Sequence, residues 1–513
     1  MVWKEQIASQ NIWWKHGQGF DQYDRDMTIL SRSLLQFQRK AITPEAGKIY
    51  TIRGPRRAGK TVWMKTMIRE LLKHVDPKQV FYLSCDTLPS QSREQLGRAI
   101  SIYKEIAEEF PISYLFLDEI TYLNDWEKEL KGLVESGNLS RMAIIVTGSS
   151  PTRMKKQTEY LPGRGVSGNE FLLKPLSFRD FVIGISRNAG RFRPSGEGYL
   201  ADLLSSDPER KESLKKLWKT VDGVKITLEE GQKELRAKGG LLFPYIEELQ
   251  LLFNIYQLTG GFPHIINDYL RNADNKQKAI DSRLYEDTVR AVIGEISKLG
   301  RSEEIARQIL LAITKRMGSH YSYSALTRDI AEGISHPTLI DYVSLLEDGF
   351  ILHTLPAHNM LRNQESPKMD RKIYPIDPFI LYSLQSMLYG KPGYDFTIDY
   401  LNKEENEGKI VESIVVTHLA RVKEVPLMGE PRTFLWFSYN RNGEIDCLLR
   451  RNDGSLVGLE VKYQQSAKTR VFRHPSIRIR VVVTRSHFDY QDETVFMPAC
   501  IFLAGLVASD KNL

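Results

Sequence analysis

Eight residues near the start of the chain have the types and spacing of a phosphate-binding loop. The run 54–61 reads GPRRAGKT and fits the pattern G-x-x-x-x-G-K-[ST] between a predicted strand and a predicted helix. Glycines let backbone N–H groups approach phosphates, and the start of a helix adds positive potential. The residues predicted to bind the nucleotide are Gly54, Pro55, Arg56, Arg57, Ala58, Gly59, Lys60 and Thr61. Lys60 would reach the β- and γ-phosphates, and the Thr61 hydroxyl would ligate Mg²⁺.

An acidic pair, Asp118 and Glu119, follows the buried apolar run Tyr114–Leu117. Such a pair by itself also suits the first turn of a helix, where negative charge is favoured. Downstream of a phosphate-binding loop, it predicts that Asp118 holds Mg²⁺ and that Glu119 orients or deprotonates the attacking water.

A further predicted strand ends in Thr147-Gly-Ser-Ser150. Hydroxyls at this edge of the sheet are candidates to sense the γ-phosphate, although Ser and Gly also suit ordinary turns. The pattern leaves Ser149 and Ser150 both open for this nucleotide contact.

A second constellation lies in the C-terminal part, in Gly443-Glu-Ile-Asp446-Cys447 and Leu459-Glu460-Val461-Lys462. Residues two apart on a strand share a face, so Glu460 and Lys462 point the same way and Asp446 on the partner strand can meet them. We predict that Asp446 and Glu460 bind Mg²⁺ or Mn²⁺, that Lys462 assists attack on a phosphodiester, and that Glu412 completes the catalytic site. The alternative is an exposed hairpin with alternating charges.

A stretch with basic but no acidic residues follows this pair of strands, from Val461 to Phe488. Its seven basic residues are Lys462, Lys468, Arg470, Arg473, Arg478, Arg480 and Arg485. A solvated face usually mixes signs, whereas a basic run beside carboxylates favours a groove that tracks a nucleic-acid backbone.

The elements that must position these residues indicate an α/β multidomain chain. Residues 46–184 alternate β-branched or aromatic runs with helical stretches, which predicts a parallel sheet covered by helices. The runs predicted as strands are Ile49–Ile52, Val80–Leu83, Tyr114–Leu117 and Ala143–Val146. The predicted organisation is 1–45 as an N-terminal strap, 46–184 as the P-loop core, 185–300 as an insertion and helical lid, 301–375 as a winged helix, and 395–513 as a second α/β domain. The winged helix is predicted from three helices followed by a strand over Gly349–His353, and the last domain is predicted to begin with a helix over Lys409–Arg421.

Composition excludes several protein classes. The 513 residues are 42% apolar and 26% charged, which is typical of a globular chain with several cores. Three scattered cysteines without a C-x-x-C pair exclude a disulfide framework and a zinc module. The longest apolar stretch, Val495–Ala508, is too short to span a bilayer. We expect a cytoplasmic protein that does not enter the membrane.

Taken together, five segments resemble a family of prokaryotic, often archaeal, AAA+ ATPases: the P-loop, Leu117–Trp126, Thr147–Ser150, Leu161–Arg164 and Lys174–Phe181. The resemblance implies a P-loop AAA+ core with a helical lid, a winged helix and a C-terminal restriction-endonuclease-like domain, in which Asp446, Glu460 and Lys462 are similar to the PD-(D/E)xK pattern. The insertion at 185–240 is longer than such a family leads one to expect.

The resemblance also implies roles outside the two constellations. Arg164 is the candidate arginine finger, acting on the γ-phosphate of a neighbour in a homo-oligomer. Trp13 and Trp14 either stack on the nucleotide base or attach the strap to the core. The candidate recognition helix that Ser335–Tyr342 opens has few basic residues, so it suits docking to DNA or to a protein equally.

The leading hypothesis is therefore an ATP-hydrolysing switch or motor coupled to DNA binding or Mg²⁺-dependent DNA cleavage. Two alternatives stay open: a regulatory ATPase whose C-terminal domain binds nucleic acid or protein without cutting, and a DNA translocase.

Overall fold

The structure, a computed structural model, describes residues 2–148, 154, 168–189, 208–274, 280–330, 333–360, 364–365, 370–423, 434–440, 443–464 and 472–513. The chain divides into two compact units. The first contains residues 1–174, 425–431 and 510–513, and the second contains residues 175–424 and 432–509.

The first unit is built on a five-stranded sheet in the order β2-β3-β4-β1-β5, and all of its strand pairs are parallel. Its strands are β1 (Lys48–Arg53), β2 (Val80–Ser84), β3 (Ser113–Asp118), β4 (Met142–Thr147) and β5 (Glu170–Leu172). The apolar runs at its centre are almost continuous because helices cover both faces of a parallel sheet. The four strands predicted by the β-branched runs are confirmed, each to within one residue on either side.

Helices cover this sheet on both faces. The described α-helices of the first unit are Val2–Gln10, Trp13–His16, Arg25–Arg32, Lys60–Leu71, Arg93–Ile106 and Trp126–Glu135. The parallel order brings the carboxyl ends of β1, β3 and β4 side by side, which is where ligands bind in open parallel sheets.

The second unit contains a six-stranded mixed sheet in the order β10-β11-β12-β13-β15-β14. Its strands are β10 (Leu435–Asn440), β11 (Gly443–Arg450), β12 (Leu456–Lys462), β13 (Ile477–Thr484), β14 (Asp489–Gln491) and β15 (Thr494–Pro498). The pairs β10–β11 and β11–β12 are antiparallel, whereas β12–β13 and β13–β15 are parallel.

Two small antiparallel pairs precede this sheet in the chain. They are β6 (Leu352–Pro356) with β9 (Arg371–Pro375), and β7 (His358–Asn359) with β8 (Gln364–Glu365).

Helices make up the rest of the second unit. Those in its described residues are Phe178–Arg187, Pro208–Gly223, Gln232–Leu242, Ile246–Thr259, Pro263–Asp274, Ser282–Lys298, Glu303–Lys315, Tyr323–Arg328, His336–Asp348, Pro378–Tyr389, Gly393–Leu401, Glu404–Leu419 and Ala499–Gly505. The predicted order of three helices and a strand between residues 303 and 356 is present.

Two predicted boundaries were wrong for local reasons. The strand predicted over Gly349–His353 begins at Leu352, because Gly349 ends the preceding helix and Phe350 has a φ of 55°. The helix predicted over Lys409–Arg421 begins at Glu404, where three glutamates in the first turn favour an earlier helix start.

Candidate functional site

Two glycines shape the P-loop, Gly59 through its left-handed backbone and Gly54 through a lack of space for a Cβ. Gly59 has a φ of +97° at the start of the helix Lys60–Leu71, and a Cβ on Gly54 would lie 2.0 Å from the Leu173 carbonyl oxygen. The buried Lys60 ammonium lies inside the loop and donates to the carbonyl oxygens of Gly54 and Pro55, both at 3.0 Å. The loop therefore presents a helix start and an ammonium group to the same space, as phosphate binding requires.

Asp118 lies at the end of β3, where three hydroxyl groups donate to its carboxylate. Thr61 donates to Oδ2 at 2.6 Å, Tyr82 donates to the same oxygen at 2.9 Å, and Thr147 donates to Oδ1. Burial and then the charge of Asp118 raise the pKa of Tyr82 well above its usual value, so its phenol stays protonated as a donor. A hydroxyl and a carboxylate oxygen this close together are the hard oxygen ligands that Mg²⁺ prefers, so Thr61 and Asp118 fit the predicted metal.

Glu119 has a left-handed backbone with a φ of 53°, which is uncommon for a residue with a side chain. Its N–H donates to Asp118 Oδ1 at 3.2 Å and to Thr147 Oγ1 at 3.4 Å. Non-glycine residues in this region cluster at active sites, because the surrounding contacts must hold them there. The backbone thus turns sharply at the predicted base.

The N-terminal strap is attached to the edge strand β2. Asn11 is buried and forms a two-way pair with Tyr82: its Oδ1 accepts from the Tyr82 N–H at 2.7 Å, and its Nδ2 donates to the Tyr82 carbonyl at 2.9 Å. Trp13 and Trp14 both donate their indole N–H to the Val80 carbonyl at 2.9 Å. Trp13 is fully buried, so it attaches the strap to the core rather than stacking on a base.

Some predicted contacts lie outside the described residues. These are Ser149, Ser150 and the arginine-finger candidate Arg164. Sequence reasoning did not single out Thr147 or Tyr82 as partners of Asp118. For Thr147 one signal was available, because Asp118 and Thr147 are the last residues of two strands that end at the same edge of a parallel sheet.

In the second unit, Asp446 and Glu460 lie on the neighbouring strands β11 and β12, and both are largely buried. Asp446 Oδ2 accepts from the Val461 N–H at 2.8 Å, and Glu460 Oε1 accepts from the Phe472 N–H at 2.7 Å. Lys462 lies 3.6 Å from Glu460, so these two side chains share a face as the strand period predicts. Burial raises the pKa of the Glu460 carboxyl.

Glu412, on the helix Glu404–Leu419, joins Asp446 through a residue that the sequence did not suggest. The Lys372 ammonium lies 2.9 Å from Glu412 Oε1 and 3.1 Å from Asp446 Oδ1, and it also pairs with Glu444. Burial alone would lower the pKa of Lys372, but the charges of Glu412, Asp446 and Glu444 raise it above its usual value. Burial, followed by the charge of Asp446, raises the pKa of Glu412.

The divalent metal predicted for Asp446 and Glu460 does not fit this arrangement, because the Lys372 ammonium already lies against Asp446 Oδ1 and Glu412 Oε1. Asp118, in contrast, accepts from neutral hydroxyl groups. Within the described ranges, no three His, Cys, Asp or Glu side chains are arranged to hold a metal ion.

The basic run from Val461 to Phe488 is compensated in space by acidic residues from outside it. Five of its seven basic residues are described, and each forms an ion pair. The pairs are Lys462–Glu460, Arg473–Asp492, Arg478–Asp453, Arg480–Glu493 and Arg485–Glu407. The single sign of the run therefore does not describe the electrostatics of the folded surface.

Comparison with known proteins places three matches along the chain. Residues 46–182 match the family model of an AAA domain. Residues 250–389 and 407–500 match two domains of unknown function, DUF8612 and DUF4143.

Two uncharacterised proteins of Methanocaldococcus jannaschii are distant relatives. MJ1544 is 22% identical over 433 residues, which cover 82% of this chain and 77% of that protein. MJ1637 is 23% identical over 405 residues, which cover 77% of this chain and 72% of that protein.

Two solved structures show a partial likeness. The Walker-type ATPase PABY2304 of Pyrococcus abyssi aligns with a TM-score of 0.40 at 15% identity, covering 66% of this chain and 91% of that one. A RuvB protein of Thermotoga maritima aligns with a TM-score of 0.23 at 18% identity, covering 60% and 81%.

None of the helices in the described parts of the chain combines the length and apolar character needed to cross a bilayer. The parallel sheet, the P-loop with Asp118 beside it, and the family match together identify residues 46–182 as an AAA-type P-loop ATPase domain.

Proposed function

We propose that the first unit hydrolyses ATP at the edge of the sheet formed by the P-loop and Asp118. The observation that carries this proposal is the 2.6 Å hydrogen bond from Thr61 to Asp118, beside the loop that holds Lys60. On nucleotide binding, Lys60 would exchange its two carbonyl partners for phosphate oxygens, and Glu119 would accept a proton from the attacking water. Thr61 and Asp118 would hold Mg²⁺, which offsets negative charge on the phosphates.

Two substitutions separate nucleotide binding from turnover. Lys60→Ala should weaken ATP binding, because Lys60 contacts phosphates in the ground state. Glu119→Gln should bind ATP normally and lose turnover by on the order of 10²- to 10⁴-fold, because it removes the proton acceptor. Fluorescent-nucleotide titration and phosphate release measure the two effects. Glu135→Gln, at an exposed position of the same unit, is the matched control. Turnover at the parental rate in Glu119→Gln would show that another group is the base.

Arg164 is proposed to complete this site in a neighbouring copy of the chain. Its place after the strand β4 in Leu-Pro-Gly-Arg supports the proposal. An inactive Arg164→Ala chain mixed with an inactive Glu119→Gln chain should recover some hydrolysis in shared oligomers, whereas a monomer by light scattering with ATP present would contradict this role.

The second unit is proposed to bind DNA under the control of the nucleotide state. Three consecutive helices, Glu303–Lys315, Tyr323–Arg328 and His336–Asp348, followed by the β6–β9 hairpin support a winged helix. Arg473 and Arg478 also support DNA binding, because their ion pairs are exposed. Exposed pairs contribute only about 0–1 kcal/mol, so exchanging a carboxylate for a DNA phosphate costs little.

DNA binding is measured by anisotropy of a labelled duplex over a series of salt concentrations. The slope of the logarithm of DNA affinity against the logarithm of salt concentration should become shallower by up to about 0.9 in each of Arg473→Ala and Arg478→Ala. Arg283→Ala, which removes an exposed and paired arginine outside the run, should leave it unchanged. An equal slope in all chains would remove the basis for this DNA contact.

Metal-dependent DNA cleavage is the second candidate function. Asp446, Glu460 and Lys462 lie together on two strands with Glu412 nearby, which supports a restriction-endonuclease-like domain. Lys372, however, lies between the carboxylates of Glu412 and Asp446. This position favours the alternative of a regulatory ATPase that does not cut DNA.

Cleavage of supercoiled and linear DNA with Mg²⁺ or Mn²⁺, with and without ATP, separates a nuclease from the other two functions, and a strand-displacement assay separates those two from each other. A nuclease would lose cutting but keep DNA affinity and ATP hydrolysis in Asp446→Ala or Lys462→Ala. A regulatory ATPase would not cut in any variant. A translocase would displace a bound strand during ATP hydrolysis.

A further inference from the structure

A buried lysine reaches the carboxylate cluster from outside the six-stranded sheet. Lys372 lies on β9, opposite Leu355 of β6, and only 2% of its side chain is exposed. Its ammonium contacts three acidic residues from two different elements: Glu412 on a helix, and Glu444 and Asp446 on β11. A lysine is rarely buried to this degree unless it is paired.

The oxygens around this ammonium are also engaged by neighbouring donors. The Tyr374 hydroxyl, two residues along β9, donates to Glu412 Oε1 at 2.6 Å. The second oxygen of Asp446 accepts from the backbone of Val461. The strand β9 thus supplies an ammonium that contacts both Glu412 and Asp446 and a hydroxyl that donates to Glu412.

A divalent ion and this ammonium would compete for the same oxygens. Mg²⁺ needs oxygen ligands at about 2.0–2.1 Å in near-octahedral geometry, and it would then lie close to a positive charge that already contacts those ligands. Two cations that share the same oxygen ligands in a buried site repel each other strongly.

We infer that the Lys372 ammonium is the resident cation of the Glu412–Asp446 cluster and that it excludes a divalent metal ion from it. The cluster accepts a divalent metal ion only when the positive charge at position 372 is removed. This inference rests on the proposed assignment of the cluster as a nuclease-like site, and it is tested by metal binding rather than by cleavage so that the two can fail separately.

The experiment is a Mn²⁺ titration of the full chain without nucleotide or DNA, followed by electron paramagnetic resonance. Lys372→Met, which keeps an unbranched side chain of similar length and removes the charge, should bind one Mn²⁺ more than the wild type, which holds none at this cluster. The gain should be absent in Lys372→Arg, which keeps the charge, and should be lost again in Lys372→Met with Asp446→Asn.

A second test compares the wild type with Asp446→Asn and needs no substitution at Lys372. Wild type and Asp446→Asn should bind the same number of Mn²⁺ ions, because Asp446 holds none. One fewer ion in Asp446→Asn would overturn the inference, as would a folded Lys372→Met chain without the additional ion. If Lys372→Met unfolds, Lys372→Gln retains a hydrogen-bond donor and takes its place.

The two proposals are separated by adding DNA to the Mn²⁺-loaded Lys372→Met chain. Binding of the additional ion supports exclusion by Lys372 whatever follows. An absence of cutting in that loaded chain would then count against the nuclease candidate alone.

Discussion

Removal of one hydroxyl group, in Tyr82→Phe, should weaken the hold of the ATPase site on Mg²⁺. Asp118 Oδ2 accepts from the Tyr82 hydroxyl at 2.9 Å and from the Thr61 hydroxyl at 2.6 Å. The substitution leaves Thr61 as the donor to this oxygen. A hydrogen bond to a charged acceptor contributes about 1.5–3 kcal/mol, and losing a partner that orients a metal ligand typically costs about 10- to 100-fold in metal affinity. Because about 1.4 kcal/mol corresponds to tenfold, we expect at least a tenfold rise in the Mg²⁺ concentration for half-maximal hydrolysis.

Phosphate release at saturating ATP, measured against free Mg²⁺, gives this concentration, and Mn²⁺ binding to the ADP complex checks it without turnover. ATP binding without metal should be unchanged, because the hydroxyl that this variant removes donates to Asp118.

Tyr103→Phe is the matched control for Tyr82→Phe. Tyr103 is fully buried in the same unit, and its hydroxyl donates at 2.7 Å to the carbonyl oxygen of Gln79 instead of to Asp118. This variant should lose about 0.5–1.5 kcal/mol of stability and keep its Mg²⁺ requirement. An unchanged requirement in folded Tyr82→Phe, or an equal shift in Tyr103→Phe, would refute the positioning role of Tyr82.

Two further predictions concern the buried Asp377, which accepts from the N–H groups of Gly261 and Phe379. Gly260→Ala should destabilise the second unit by more than about 1 kcal/mol, because Gly260 has a φ of +64° and its Cβ would lie 2.0 Å from Asp377 Oδ1. Gly294→Ala, with open space in a helix, should be neutral or stabilising; urea denaturation compares the two. Burial raises the pKa of Asp377 from 3.8 to about 6, so the folded chain holds this proton more tightly than the unfolded chain. Stability should therefore fall as the pH rises from about 4 to about 6, by on the order of 3 kcal/mol relative to Asp377→Asn, and equal pH dependence of the two chains would contradict this.

The ATPase core could be predicted from the sequence because its signals are local. The P-loop residues are contiguous, and the requirement for glycine at position 59 follows from its own φ. The run Leu115–Leu117 that leads to Asp118 is apolar because both faces of a parallel sheet are buried. Tyr82 could be found only with the order of the strands, because it lies 36 residues before Asp118.

The carboxylate cluster was predicted only in part. The two-residue period of β12 places Glu460 and Lys462 on one face, and this geometry is local. Lys372 lies 40 residues before Glu412 and 74 before Asp446, and no pattern in its own neighbourhood indicates that it is buried among them.

The sequence alone determined the phosphate-binding loop, the parallel sheet and the strands that carry Asp446 and Glu460, because backbone geometry and side-chain period act over a few residues. Tertiary structure decided the electrostatics. The basic run from Val461 to Phe488 has one sign along the chain, yet Arg473 and Arg478 are paired with Asp492 and Asp453, which lie outside it. Coulomb interaction depends on distance in space and on burial, so the partners of each charge became evident only once the strands and helices were packed together.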